Sequence, residues 1–324
     1  MSKKNLLWLL ATFLLITAFL AEAQQQKLYR IGVIYPGGPL LDIIDGLRAG
    51  LKESGLAEGK QFTLAIEDTK GDTKAAETAA KNFEREKVDL IFAIASTVIA
   101  AVKEATAKVP IVFSIGSDPV ALGLVNEFAR PGGRLTGVHY LARDLTAKRL
   151  EILKEILPKL TRVVAFYNPD IRVAAEGAAL AREEAKRLGI KVIERQVKSP
   201  EELRKGLQAL KAGEADALFY IADSMVIGQA QLIIDTAKAK KMPTMFQDES
   251  LVARGGLASY GQNYQEIGRL GAKYVQRVLN GTPPRNLKVE TIDDVELAFN
   301  LKTARQIGVT IPPNVLARAV KVFR

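Results

Sequence analysis

Ser96 and Thr97 follow the apolar run LIFAIA at 90–95 and open a stretch of helical periodicity. Hydroxyls and the first free N–H groups of a helix at such a point can hold an anion. A carboxylate there would gain roughly 0.3–1 kcal/mol from the helix dipole, and about 2 kcal/mol if partly buried. The same pair also reads as a simple helix cap, and the sequence leaves both readings open. Asp223, with Ser224 behind it, ends the run ALFYIA at 217–222 in the same way. It suits a ligand ammonium, or it caps its own helix. Asp118 and Asp248 end two further apolar runs and face the same choice. Asn168 and Gln247 stand at equivalent ends, and Tyr35, like Tyr167, either stacks on a ligand or packs at a rim.

No string in the chain has the spacing of a catalytic apparatus. One His (His139) and no Cys leave no thiolate metal site, no disulfide and no His-based triad to expect. No G-x-S-x-G, Walker A or H-E-x-x-H string occurs, and no two carboxylates are placed by spacing as an acid–base couple. No enzyme activity, metal or cofactor is expected. RPGGR at 130–134 follows no strand and opens no helix, so it reads as a tight turn rather than a phosphate loop. NGT at 280–282 matches a glycosylation sequon but reads better as a helix stop before Pro283 and Pro284.

The elements that carry these residues alternate. Residues 30–35, 62–67, 88–95 and 111–115 read as strands, and 43–53, 73–85 and 98–107 have helical periodicity between them. Continuous apolar strands suit a parallel sheet covered on both faces, and strand–helix alternation suits a doubly wound α/β layer. The pattern then repeats. RIGVIYP at 30–36 is echoed by RVVAFYNP at 162–169, VDLIFAIAST at 88–97 by ADALFYIADS at 215–224, and KVPIVF at 108–113 by KMPTMF at 241–246. Three collinear echoes at similar offsets predict two similar Rossmann-like α/β domains. A helix over 264–279 and a strand over 295–300 come after the second copy and must cross back. The expected division is 27–140 plus about 252–285 for the first domain and 141–251 plus about 286–324 for the second. Ligands of open α/β sheets bind beyond the carboxyl ends of the strands, so two such domains face to face would place every residue named above along one cleft.

Length and composition agree: 324 residues, 48% of them hydrophobic, are enough for two domains with real cores. Lys3 and Lys4 precede an apolar run over 6–20, and Ala21-Glu22-Ala23 supplies a small-x-small site, so a signal peptide over 1–23 is expected. The run is short of the ~20 residues that a spanning helix needs. No Cys follows it, so the expected product is periplasmic and not lipid-anchored. The net charge of +10 is spread among acids, as in AREEAKR at 181–187, which reads as solvated surface with no nucleic-acid partner.

Four strings carry a resemblance: DPVALGLV at 118–125, ARPGGRLTGV at 129–138, GGLASYG at 255–261 and NLKTARQIG at 300–308. In this order they resemble the ABC transporter substrate-binding proteins of the tryptophan/tyrosine-binding type, from about Tyr29 to the C-terminus. The resemblance implies a type I periplasmic binding fold that closes by a hinge around one small, amino-acid-like ligand. It implies a monomer that hands this ligand to a membrane permease and its ATPase. Arg134 stands where the family's Pro-Gly-Gly turn carries Asn, and His139 follows, both expected near the hinge. The alternative of the same fold is a ligand-sensing receptor module for a membrane signalling protein, which gene neighbours would distinguish. A secreted enzyme is disfavoured by the missing His and Cys constellations. A repressor is disfavoured because no helix-turn-helix precedes Arg30.

Overall fold

The computed structural model describes residues 27–324, and the leader expected over 1–23 lies outside the described residues. In chain order the first half runs β1 (Tyr29–Tyr35), α1 (Leu41–Glu53), β2 (Phe62–Asp68), α2 (Thr73–Arg85), β3 (Leu90–Ile94), α3 (Ser96–Ala105), β4 (Ile111–Ile115) and β5 (Leu135–Tyr140). The second half runs α4 (Thr146–Ile156), β6 (Arg162–Tyr167), α5 (Arg172–Arg187), β7 (Lys191–Gln196), α6 (Pro200–Ala209), β8 (Ala217–Phe219), α7 (Ser224–Ile227), α8 (Ala230–Ala239), β9 (Thr244–Phe246), α9 (Glu249–Ala253) and β10 (Ala258–Gly261). Then come α10 (Tyr264–Leu279), β11 (Glu290–Ile292), β12 (Glu296–Asn300), α11 (Leu301–Ile307), α12 (Pro313–Leu316) and β13 (Lys321–Phe323).

Two sheets result. The first has the order β11-β5-β4-β3-β1-β2 and is parallel throughout. The second has the order β13-β12-β10-β9-β8-β6-β7 and is parallel except where β10 meets β12. Strands β3 and β4, LIFAI and IVFSI, are buried at every position, as a sheet covered on both faces requires. Helix starts follow local chemistry: the Asp72 carboxylate accepts from Lys74 N ahead of α2, and Ser199 does the same from Glu202 N where Pro200 opens α6.

The two-copy architecture is as the echoes predict, and it extends one strand further than they reach. Strands β5 and β10 hold corresponding places beside β4 and β9, so the second copy ends at Gly261. The expected division at 252 and 286 is corrected accordingly: β10 belongs to the second sheet and β11 to the first. The chain crosses between lobes at 141–145, 262–263 and 293–295. Helix α10 returns to the first lobe because two glycines let it lie directly on α1. A Cβ at Gly46 would stand 2.0 Å from the Gln265 carbonyl oxygen, and one at Gly268 would stand 2.0 Å from that of Ile43. One apolar cluster runs from Leu40, Tyr140 and Ala142 of the first lobe into Tyr220, Ala222 and Ile227 of the second, so the lobes meet as packed surfaces.

Candidate functional site

The carboxyl ends of both sheets face each other across a narrow cavity lined by both lobes. The first lobe contributes Leu40, Ala95, Ser96, Gly116, Ser117, Tyr140 and the crossing residue Ala142, and the second contributes Val173, Tyr220, Ala222, Asp223, Ser224, Ile227 and Gln247. The mix of apolar walls with few polar groups is that of a small-molecule site.

Ser96 sits in the first turn of α3, not ahead of it. The residue before the helix is Ala95, held at φ 76° and ψ 145° with no side-chain cap. A non-glycine residue there is strained by roughly 1–3 kcal/mol. The turn it makes leaves the first N–H groups of α3 without capping partners at the cavity wall, so the capping role weighed for Ser96 and Thr97 does not hold. Thr97 is not a wall residue; its Oγ1 lies 2.9 Å from Ser224 Oγ of the other lobe.

Asp223 is 3% exposed and is the one carboxylate among the lining residues. It caps α7: Oδ1 accepts from Met225 N at 2.8 Å and from Val226 N at 3.0 Å, while Oδ2 accepts from Asn168 N at 2.6 Å. Oδ2 therefore keeps one free lone pair. Burial raises its pKa against those three N–H groups, which pull it down. Tyr220 braces the turn, accepting from Asp223 N at 3.0 Å and donating to Asp223 O at 3.1 Å.

Gln247, 6% exposed at the end of β9, donates through Nε2 to the Tyr264 hydroxyl at the start of α10. Its neighbour Asp248 faces away from the cavity. Asp248 caps α9 through Ser250 N at 2.8 Å and accepts from Tyr264 N at 3.2 Å. Burial pushes its pKa up to about 7. Behind the cavity, fully buried Arg149 donates to Tyr260 O at 2.8 Å and to Ala142 O at 2.7 Å, tying two of the crossings. Burial lowers its pKa to about 10.

Of the eight residues singled out from sequence, Ser96, Asp223 and Gln247 line the cavity, and Thr97 bonds across the cleft. The other four are satisfied elsewhere. Asp118 accepts from Val120 N and Ala121 N within a turn, and Asn168 does so from Asp170 N. Tyr35 is buried in the first-lobe core, and Asp248 holds the hinge side. Arg134, expected near the hinge, instead donates to the carbonyls of Lys103 in the last turn of α3 and of Thr106 and Val109 just beyond it. Tyr140, the last residue of β5, and Tyr220, the first after β8, escaped notice, while Leu40, Val173 and Ile227 carry no sequence signal of their own.

Across the cleft the lobes also touch through Arg172 Nη1 donating to Ala121 O at 3.0 Å, and through Arg254 and Asp42 at 3.4 Å. Backbone also comes close there: a Cβ at Gly38 would stand 2.4 Å from Ile227 O.

Comparison with known proteins gives a consistent set. A family model described as ABC transporter substrate binding protein matches residues 30–323. A tyrosine-binding protein of Clostridioides difficile is 26% identical over 287 residues, 88% of this chain and 82% of that protein. A Streptococcus pneumoniae ABC domain in complex with L-Trp is 25% identical with a TM-score of 0.80, covering 91% of this chain and 99% of that one. A ligand-free, open substrate-binding protein from Clostridium difficile is 27% identical over the same shares, with a TM-score of 0.61.

Proposed function

This chain belongs to the family of ABC transporter substrate-binding proteins, and on that premise we propose that it is the receptor of an importer that closes around an aromatic amino acid. The observation that carries the reading is the pairing of opposite polarities across the cavity. The uncapped start of α3 at Ser96 offers N–H groups and a hydroxyl from the first lobe. Asp223 offers a buried carboxylate with one free lone pair from the second. A zwitterionic head complements both, and bridging them draws the lobes together. Tyr140, Tyr220, Leu40, Val173 and Ile227 supply apolar walls for the side chain.

The relatives support the ligand class. One is named for tyrosine and another holds L-Trp. They also support closure. At nearly equal identity and coverage, this chain superposes better on the tryptophan complex than on the open, ligand-free relative. That is the pattern of a hinge-type receptor whose lobes move as rigid bodies. The protein performs no catalysis. It works outside the cytoplasmic membrane as a monomer, exported by the leader read at 1–23, and delivers its ligand to a permease driven by an ATPase.

A thermal-shift series tests the ligand class. At 100 times its Kd a ligand adds roughly 2.7 kcal/mol of stability, so tryptophan or tyrosine should raise Tm clearly while sugars leave it unchanged. Stabilisation by sugars and by no amino acid would overturn the reading.

A further inference from the structure

Of the residues that line the cavity, Gln247 is the one with a buried side-chain atom lacking a hydrogen-bond partner. Its Nε2 is engaged with the Tyr264 hydroxyl, but Oε1 is buried and accepts from nothing among the described residues. Folded proteins rarely keep a buried acceptor without a donor, so such an atom at a binding cavity calls for a donor that arrives with the ligand.

The position says which part of the ligand brings it. Ser96 and Asp223 follow β3 and β8 at the starts of the next helices, where the proposed zwitterionic head is held. Gln247 ends β9, one strand nearer the crossings. Around it are Tyr220, whose ring packs on Phe246 at 6.0 Å, and Tyr140, whose ring meets Tyr264 edge-on at 6.2 Å. An aromatic wall ending in a single amide acceptor suits a flat side chain with a polar tip.

We propose that Gln247 is a specificity-determining residue: Oε1 accepts a hydrogen bond from an N–H or O–H at the far end of the ligand's side chain. Ligands tipped by a donor are thereby preferred over apolar isosteres and over isosteres tipped only by an acceptor. The inference rests on the amino-acid reading above. It adds a cost for the wrong side chain, because a site built to bond a donor is left unpaired by an analogue without one.

Calorimetric titration of the purified protein with matched ligands tests this. L-tryptophan is paired with 3-benzothienyl-L-alanine, in which sulfur replaces the indole N–H. L-tyrosine is paired with L-phenylalanine and with O-methyl-L-tyrosine. In each set the donor-bearing ligand that binds should be favoured about tenfold or more, which is ~1.4 kcal/mol. In Gln247→Leu, which keeps the bulk and removes the acceptor, the preference should shrink to within about threefold. Equal binding of tryptophan and its benzothienyl analogue by the unaltered protein would overturn the proposal, meaning that water satisfies Oε1. So would a preference for the acceptor-tipped analogue, or a Gln247→Leu protein that binds with its preference intact. The comparison within the unaltered protein decides even if the variant does not fold. Binding of aromatic amino acids without discrimination defeats this inference alone. Binding of no amino acid defeats the functional reading and this inference with it.

Discussion

Thr97 and Ser224 lie on opposite lobes, 127 residues apart in sequence, with their hydroxyl oxygens 2.9 Å apart. They are also equivalent positions of the internal repeat, the last residues of VDLIFAIAST and ADALFYIADS. Two copies related by an approximate two-fold bring equivalent residues near the axis onto each other, as a symmetric dimer does. The bond exists only while the lobes are together. Thr97→Val keeps the shape and removes the hydroxyl. A neutral hydrogen bond contributes about 0.5–1.5 kcal/mol, so ligand affinity should fall roughly 2- to 12-fold in titration calorimetry. The Tm without ligand should change little.

Gly228 tests closure with less chemistry. Its φ of −60° suits any residue, so the backbone does not demand glycine there. What demands it is the other lobe: a Cβ would stand 2.8 Å from the Pro36 carbonyl oxygen. Gly228→Ala should leave the ligand-free protein as stable or about 0.4–1 kcal/mol more so, through the unfolded chain. Affinity should drop about tenfold or more, and solution scattering should show a smaller decrease in radius of gyration on saturation than in the unaltered protein.

Asp223 needs two readouts. An amide can replace one carboxylate oxygen as acceptor but not both, and here both accept backbone N–H groups. Asp223→Asn should therefore lower stability by about 1–3 kcal/mol, more than a simple cap position would. It should also weaken ligand binding by at least roughly 30-fold through loss of the buried charge. Chemical denaturation and calorimetry on the same preparation separate the two effects. Lost stability with unchanged affinity would leave Asp223 as a cap only.

The sheets were legible from sequence because apolar strands recur in order, and three of five strand positions carry recognisable echoes. The fifth strand of the second copy, β10, left no echo: four residues, ASYG, whose role is set by pairing with β9 and β12. Strand-end logic led to Ser96, Asp223 and Gln247 because topology alone brings those ends to the cleft. The same logic also selected Asp118, Asn168 and Asp248, whose side chains turn back onto nearby backbone N–H groups. That choice depends on loop conformation, which no spacing reveals. Leu40, Val173 and Ile227 face the cavity only because one lobe is docked on the other.

Asp248 gives a pH dependence of definite sign. Burial raises its folded pKa from 3.8 to about 7. The unfolded chain ionises first, so the folded state binds more protons between these values and stability falls as pH rises from about 4 to about 7, by about 1.4 kcal/mol per unit. Asp248→Asn does not titrate. The stability difference between the two proteins should slope across that window and be flat above it, as read by urea denaturation at several pH values. A flat difference from pH 4 to 7 would mean that Asp248 ionises normally.

Titration calorimetry of the purified protein with L-tryptophan and L-tyrosine tests the central claim most directly. The account predicts saturable binding of at least one of them, at one site per chain. The heat-capacity change should be negative as the apolar walls and ring are buried, and Asp223→Ala should weaken binding by at least roughly 30-fold. No saturable heat with either ligand, or binding that Asp223→Ala leaves intact, would contradict it.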